Sequence, residues 1–169
     1  MDLATISLAL TLSAPHMPHS VNKWYSSILY DREKHLHIDP LIEISIAEHE
    51  SQWNSSLISS DGEDYGLLQI RAKYYSASDP NRLLNGGNNL YLGAGIIKAN
   101  YNFCYKKLGR EPETQEWLSC FQGTCRTPKR TCKPTKLTFV VEQYAKCLEE
   151  ELVERISKDC NKYSGYDIN

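Results

Sequence analysis

Two acidic side chains, Glu50 and Asp64, stand where a carboxyl group could do chemistry. Glu50 closes the run Asp39-Pro40-Leu41-Ile42-Glu43-Ile44-Ser45-Ile46-Ala47-Glu48-His49-Glu50-Ser51. Ile42, Ile46 and Glu50 recur at i, i+4 and i+8, so in a helix they share one face. That face is apolar, and a carboxyl held against it loses hydration on ionising, which raises its pKa. An acid kept neutral near neutral pH can protonate a departing glycosidic oxygen. Glu43 and Glu48 leave the same helix on other sides and are expected to be solvated.

The elements that position these groups follow from local signals. Asp39 suits an N-cap and Pro40 the first helical position, so this helix opens there and ends near Glu50. Val21 to Tyr30 reads as a short amphipathic helix. The polar stretch from Trp53 to Tyr65 suits a small β-hairpin or loop over a cleft. Asn85-Gly86-Gly87-Asn88 reads as a turn, with Asn88 or Asn89 capping a helix that runs to Leu108 and stops at Gly109. Pro112 opens a further helix carrying Trp117, Leu118 and Phe121. Gly123 to Pro134 is a loop, and the spacing of Leu137, Val140, Val141, Tyr144, Cys147, Leu148, Leu152 and Ile156 predicts a long amphipathic helix to about Cys160. The fold class read from these signals is mainly α (α+β), a single helical domain with a small β element beside the cleft.

Sixteen residues beyond Glu50 comes Gly66-Leu67-Leu68-Gln69-Ile70. Asp-Pro-Leu-Ile…Ala-Glu-His-Glu-Ser followed by Gly-Leu-Leu-Gln-Ile resembles the soluble lytic transglycosylase domain of the lysozyme-like superfamily. Asn89-Leu90-Tyr91-Leu92-Gly93-Ala94 resembles that family's Asn-Ile-x-x-Gly helix start. Cys120-Phe121-Gln122 stands in place of its Ala-Tyr-Asn, and Tyr144 in place of a substrate-facing Tyr on a late helix. The resemblance spans roughly residues 37–145. It implies cleavage of peptidoglycan between N-acetylmuramic acid and N-acetylglucosamine, with Glu50 as catalytic acid and Ser51 orienting its carboxylate. Substrate contacts are implied at Tyr65, Gly66, Leu67, Gln69, Phe121, Gln122 and Tyr144. Phe121 and Gln122 replace Tyr and Asn, so contacts made by that Tyr hydroxyl are not carried over.

Asp64 keeps two mechanisms open. Asp64-Tyr65-Gly66 is similar to the segment of c-type lysozymes in which that Asp is the second catalytic carboxylate, and some transglycosylases associated with secretion systems carry Asp there too. With one carboxylate, Glu50 acts alone and the muramyl C6 hydroxyl closes a 1,6-anhydro ring. With two, Asp64 assists and water completes hydrolysis. A catalytically silent glycan-binding module is a third reading. Trp53, Tyr65, Tyr74 and Tyr75 cluster in sequence around the motif, as rings that could pack on pyranose faces.

Composition narrows the rest. The chain of 169 residues carries a net charge of −2 with both signs interspersed, so it offers no basic stripe for nucleic acid. No apolar run reaches the ~20 residues of a membrane span. Residues 1–20 read either as a signal-like N-terminal extension or as a short packed helix, and residues 21–169 as one catalytic domain. The six cysteines lie between Cys104 and Cys160. Their number predicts disulfides of undetermined pairing and hence export to the periplasm or beyond. With no Cys-x-x-Cys and no histidine after His49, a metal is not expected. His16, His19, His35, His37 and His49 read as structural or surface residues. No cofactor is expected, the partner is bacterial peptidoglycan, and a monomer is expected.

Overall fold

The computed structural model describes residues 1–75, 78–123 and 132–154. Helix α1 (Leu3–Ser13) opens at Asp2, whose carboxylate accepts from Thr5 N–H at 2.7 Å, and buries Ile6, Ala9 and Leu10 completely. Helix α2 (His19–Leu36) is longer than the expected Val21–Tyr30. Its added turns carry pairs that periodicity does not register, among them Arg32 Nε to Asp31 at 3.0 Å and the Arg32 guanidinium over the Tyr91 ring at 3.9 Å.

Helix α3 (Pro40–Ser51) starts as expected, with Leu41 N–H donating to Asp39 Oδ1 at 2.9 Å, and ends on Gln52 in the left-handed region. It is wrapped by α1, α2 and the last helix, so of its 12 residues only His49 and Glu50 escape full burial. This corrects the expectation for Glu43 and Glu48, which are 1% and 8% exposed. The apolar stripe misled because α3 is packed from several sides rather than one.

The β element is a two-stranded antiparallel hairpin, β1 (Asp64–Tyr65) and β2 (Ile70–Arg71), in which Asp64 faces Arg71. Helix α4 (Ala72–Tyr75) follows directly, and a 3-10 turn (Pro80–Leu84) leads into α5 (Gly86–Leu108). The cap of α5 is Asn85, not Asn88 or Asn89: its side chain accepts from Asn88 N–H at 3.0 Å. The two glycines therefore lie inside the helix, where a Cβ on Gly86 would stand 1.9 Å from Tyr25 Oη. Close packing on α2, rather than a turn, is what they permit.

Helix α5 stops at Gly109 as expected. Helix α6 (Thr114–Phe121) begins with a Glu113–Glu116 capping box, and α7 (Lys136–Glu154) packs on α3, α6 and α1. Its expected extension to Cys160 lies outside the described residues, as do Cys125 and most of the Gly123–Pro134 loop. The architecture is thus mainly helical with a small antiparallel sheet, as the lysozyme-like expectation requires. Disulfides were expected: Cys120 and Cys147 are disulfide-bonded, whereas Cys104 and Cys132 are free and buried.

Candidate active site

The last turn of α3, the hairpin and the end of α6 enclose a cleft of about 470 Å³. Glu50 and Asp64 both line it, with Gln69, Arg71, Tyr74 and Tyr75 on the hairpin side and Ile96, Phe121, Gln122, Gly123 and Leu137 opposite. One wall is therefore polar and aromatic and the other mostly apolar, an arrangement suited to a sugar chain with hydroxylated edges and C–H faces.

Burial pushes the Glu50 carboxyl up to about 7, and the nearby Asp64 carboxylate adds to the shift. The group can thus hold a proton near neutral pH and still release it, as a general acid that later serves as base must. Asp64 is differently placed. Arg71 donates from Nε to Oδ1 and from Nη2 to Oδ2, each at 2.9 Å. The register Asp64↔Arg71 enforces this fork. Arg71 also reaches Glu63 at 2.9 Å and Asp61 at 3.4 Å, so one cation collects three carboxylates. Among these neighbours its own pKa rises.

Gly66 lies in the turn between β1 and β2, packed against Leu83 and Asn89. Its φ of +75° and a Cβ position only 2.2 Å from Leu83 O leave no room for a side chain. Asn89, fully buried, latches the same turn: Oδ1 accepts from Leu68 N–H at 2.9 Å, and Nδ2 donates to the carbonyls of Tyr65 and Leu83 at 2.8 Å. Gln69 also has positive φ and donates from Nε2 to Gly66 O at 2.8 Å, leaving its side-chain oxygen for the cleft it lines.

Several residues expected at the site are placed elsewhere. Ser51 is buried and donates its hydroxyl to Ala47 O at 3.0 Å, so no bond to Glu50 is formed there. Tyr144 is 2% exposed and donates to Ser13 Oγ at 3.1 Å, deep between α1 and α7. Leu67 is core, and Tyr65 contributes its carbonyl to the Asn89 latch rather than its ring to the cleft. Trp53 turns away: it stacks on Tyr25 at 6.2 Å and donates to Ser13 Oγ at 3.0 Å, beside a second cavity of about 510 Å³ that Glu48 also lines. Arg71, Ile96 and Leu137 are cleft residues that sequence reasoning missed. Arg71 had a signal, since a tight hairpin from Asp64 to Arg71 puts the two ends opposite each other. Ile96 and Leu137 had none, being ordinary apolar positions on their helices.

A helical domain with a small hairpin, and a cleft lined by a half-buried carboxyl at a helix end, define a lysozyme-like framework. The chain belongs to the transglycosylase SLT domain family, whose model matches residues 29–116. Members of that family are typically peptidoglycan lytic transglycosylases. Glu50, Asp64, Gly66, Gln69 and Asn89 fall inside the matched residues, whereas Phe121, Gln122 and Tyr144 lie beyond them. No curated protein and no solved structure gives a significant match to the chain.

Proposed function

We propose that this protein is a lytic transglycosylase that cuts the MurNAc-β-1,4-GlcNAc bond of peptidoglycan with Glu50 as its single acid–base group. The supporting observation is the contrast between the two cleft carboxyls: Glu50 is held near pH 7 by burial, while both oxygens of Asp64 are engaged by Arg71. An Asp so paired is a poor nucleophile. Its charge acts instead by favouring the protonated form of Glu50.

In this reading Glu50 gives its proton to the departing GlcNAc oxygen as the C1–O bond breaks, and the substrate's N-acetyl group supports the positive centre. The muramyl C6 hydroxyl then attacks C1 and gives its proton back to Glu50. The new C1–O6 bond closes a 1,6-anhydro ring, and no water is consumed. Gln69 offers its amide to the sugar, and Tyr74, Tyr75 and Phe121 offer ring faces. Protein residues and substrate groups suffice for every step.

Among the described residues no helix is long and apolar enough to cross a membrane. We take the protein to act as a monomer outside the cytoplasm, where its substrate lies. Digestion of purified peptidoglycan and mass analysis of the released muropeptides tests the reading. Products lighter by one water, absent with Glu50→Gln, are expected. Reducing ends would instead make it a lysozyme in which Asp64 takes part.

A further inference from the structure

Cys104, near the end of α5, and Cys132, in the segment that leads into α7, are both free thiols and both buried. With Cys120 of α6 they form a cluster whose sulfur atoms all lie within 4.8 Å of one another. A tetrahedral structural zinc site needs a fourth ligand, and among the described residues no His, Asp or Glu joins these three. Cys120 is moreover disulfide-bonded, so its sulfur is not open to a metal, and the two free thiols beside it call for another use.

We propose that Cys104 and Cys132 are joined by a disulfide in the mature, exported protein. The two are the free thiols of the cluster, and their sulfurs lie within 4.8 Å of each other. Two Cys–SH groups and a disulfide-bearing oxidant (a dithiol oxidase or oxidised glutathione) exchange to give the Cys104–Cys132 bond and two thiols on the oxidant. Burial pushes the Cys104 thiol up to about 12, so little thiolate is present once the domain has folded. The bond therefore forms while the chain is still folding, before the core closes over the sulfurs.

The bridge has a specific mechanical result. Residues 105–131 lie between the two cysteines, and with them all of α6 and the Phe121–Gly123 wall of the cleft. Two hydrogen bonds already tie that wall to the segment after Cys132: Ser119 Oγ to Lys133 O at 2.6 Å and Thr135 Oγ1 to Gln122 Oε1 at 3.2 Å. A covalent link from that segment to α5 fixes the apolar side of the cleft to the helix that carries Asn89. The inference is independent of the chemistry assigned to Glu50.

The test is a thiol count in denaturant on protein produced in an oxidising compartment, for the wild type, Cys104→Ala, Cys132→Ala and the double variant. If the bridge exists, each single variant gains one titratable thiol over wild type, and the double variant equals it. Loss of one thiol in each single variant and two in the double would overturn the proposal. So would a Cys120–Cys132 linked peptide in a non-reducing digest, or one equivalent of zinc released from the purified protein. Because the count is made unfolded, it reads equally well on a variant that folds poorly.

Discussion

The guanidinium of Arg71 holds both carboxylate oxygens of Asp64 at 2.9 Å, directly across the hairpin from it. The second carboxylate of the cleft is therefore a fixed, compensated charge, and its effect on Glu50 is electrostatic. Asp64→Asn removes a like charge, so the Glu50 pKa falls from about 7 and the alkaline limb of kcat/KM moves to lower pH. Arg71→Met leaves the Asp64 charge uncompensated and moves that limb the other way. At pH 5, Asp64→Asn is expected to cost less than about tenfold in kcat, against the loss of ~10³-fold or more expected for a missing nucleophile. A pH–rate series on the three proteins decides it.

Glu50→Gln should lower kcat by about 10²–10⁴-fold, the usual worth of a general acid, while glycan binding persists. Its stability should move in the opposite sense. The folded pKa of Glu50 lies above the ordinary 4.5, so the folded state keeps a proton that the unfolded state has lost. That contribution is complete below pH 4.5 and disappears as pH rises through about 7. Thermal melts should show the variant gaining on wild type between pH 5 and 8.

Glu43 provides the same test without catalysis. It is 1% exposed, one carboxyl oxygen has no hydrogen-bond partner, and burial pushes its pKa up to about 8. Glu43→Gln should match wild type at pH 5 and exceed it by several degrees in Tm at pH 9. For a chain of this size about 1 kcal/mol corresponds to ~2–4 °C. A variant that loses Tm equally at both pH values would show that packing, rather than charge, dominates there.

Asn89→Ala should cost on the order of 3 kcal/mol or more, since it orphans one N–H and two carbonyls in the core, each at about 1–3 kcal/mol. Asn89→Asp keeps the acceptor for Leu68 N–H but faces the Tyr65 and Leu83 carbonyls with a negative charge. It should be at least as damaging at pH 7 and recover partly on acidification. Urea midpoints at two pH values measure both effects.

What the sequence made legible were features set by neighbours along the chain. The Asp39–Pro40 start of α3, the Gly109 stop of α5 and the Glu50-to-Gln69 spacing are local, and the structure keeps them. Features set from elsewhere were not legible. The burial of Glu43 and Glu48 depends on α1, α2 and α7 arriving on other sides of α3. Tyr144 carries the same apolar periodicity whether it faces a cleft or Ser13, and only the packing of α1 decides between them. Gly86 and Gly87 read as a turn because sequence does not show Trp24 and Tyr25 pressed against them.

The bond from Tyr144 to Ser13 joins α7 to α1. Because α7 also covers α3, the helix bearing Glu50 stays open on that side until residues 136–154 have been made. During synthesis the acid would then stand in water, with the ordinary acidity of a glutamate, beside a cleft lacking Leu137. The raised pKa of Glu50 is thus a property of the assembled domain, acquired only once α7 has packed on α1 and α3.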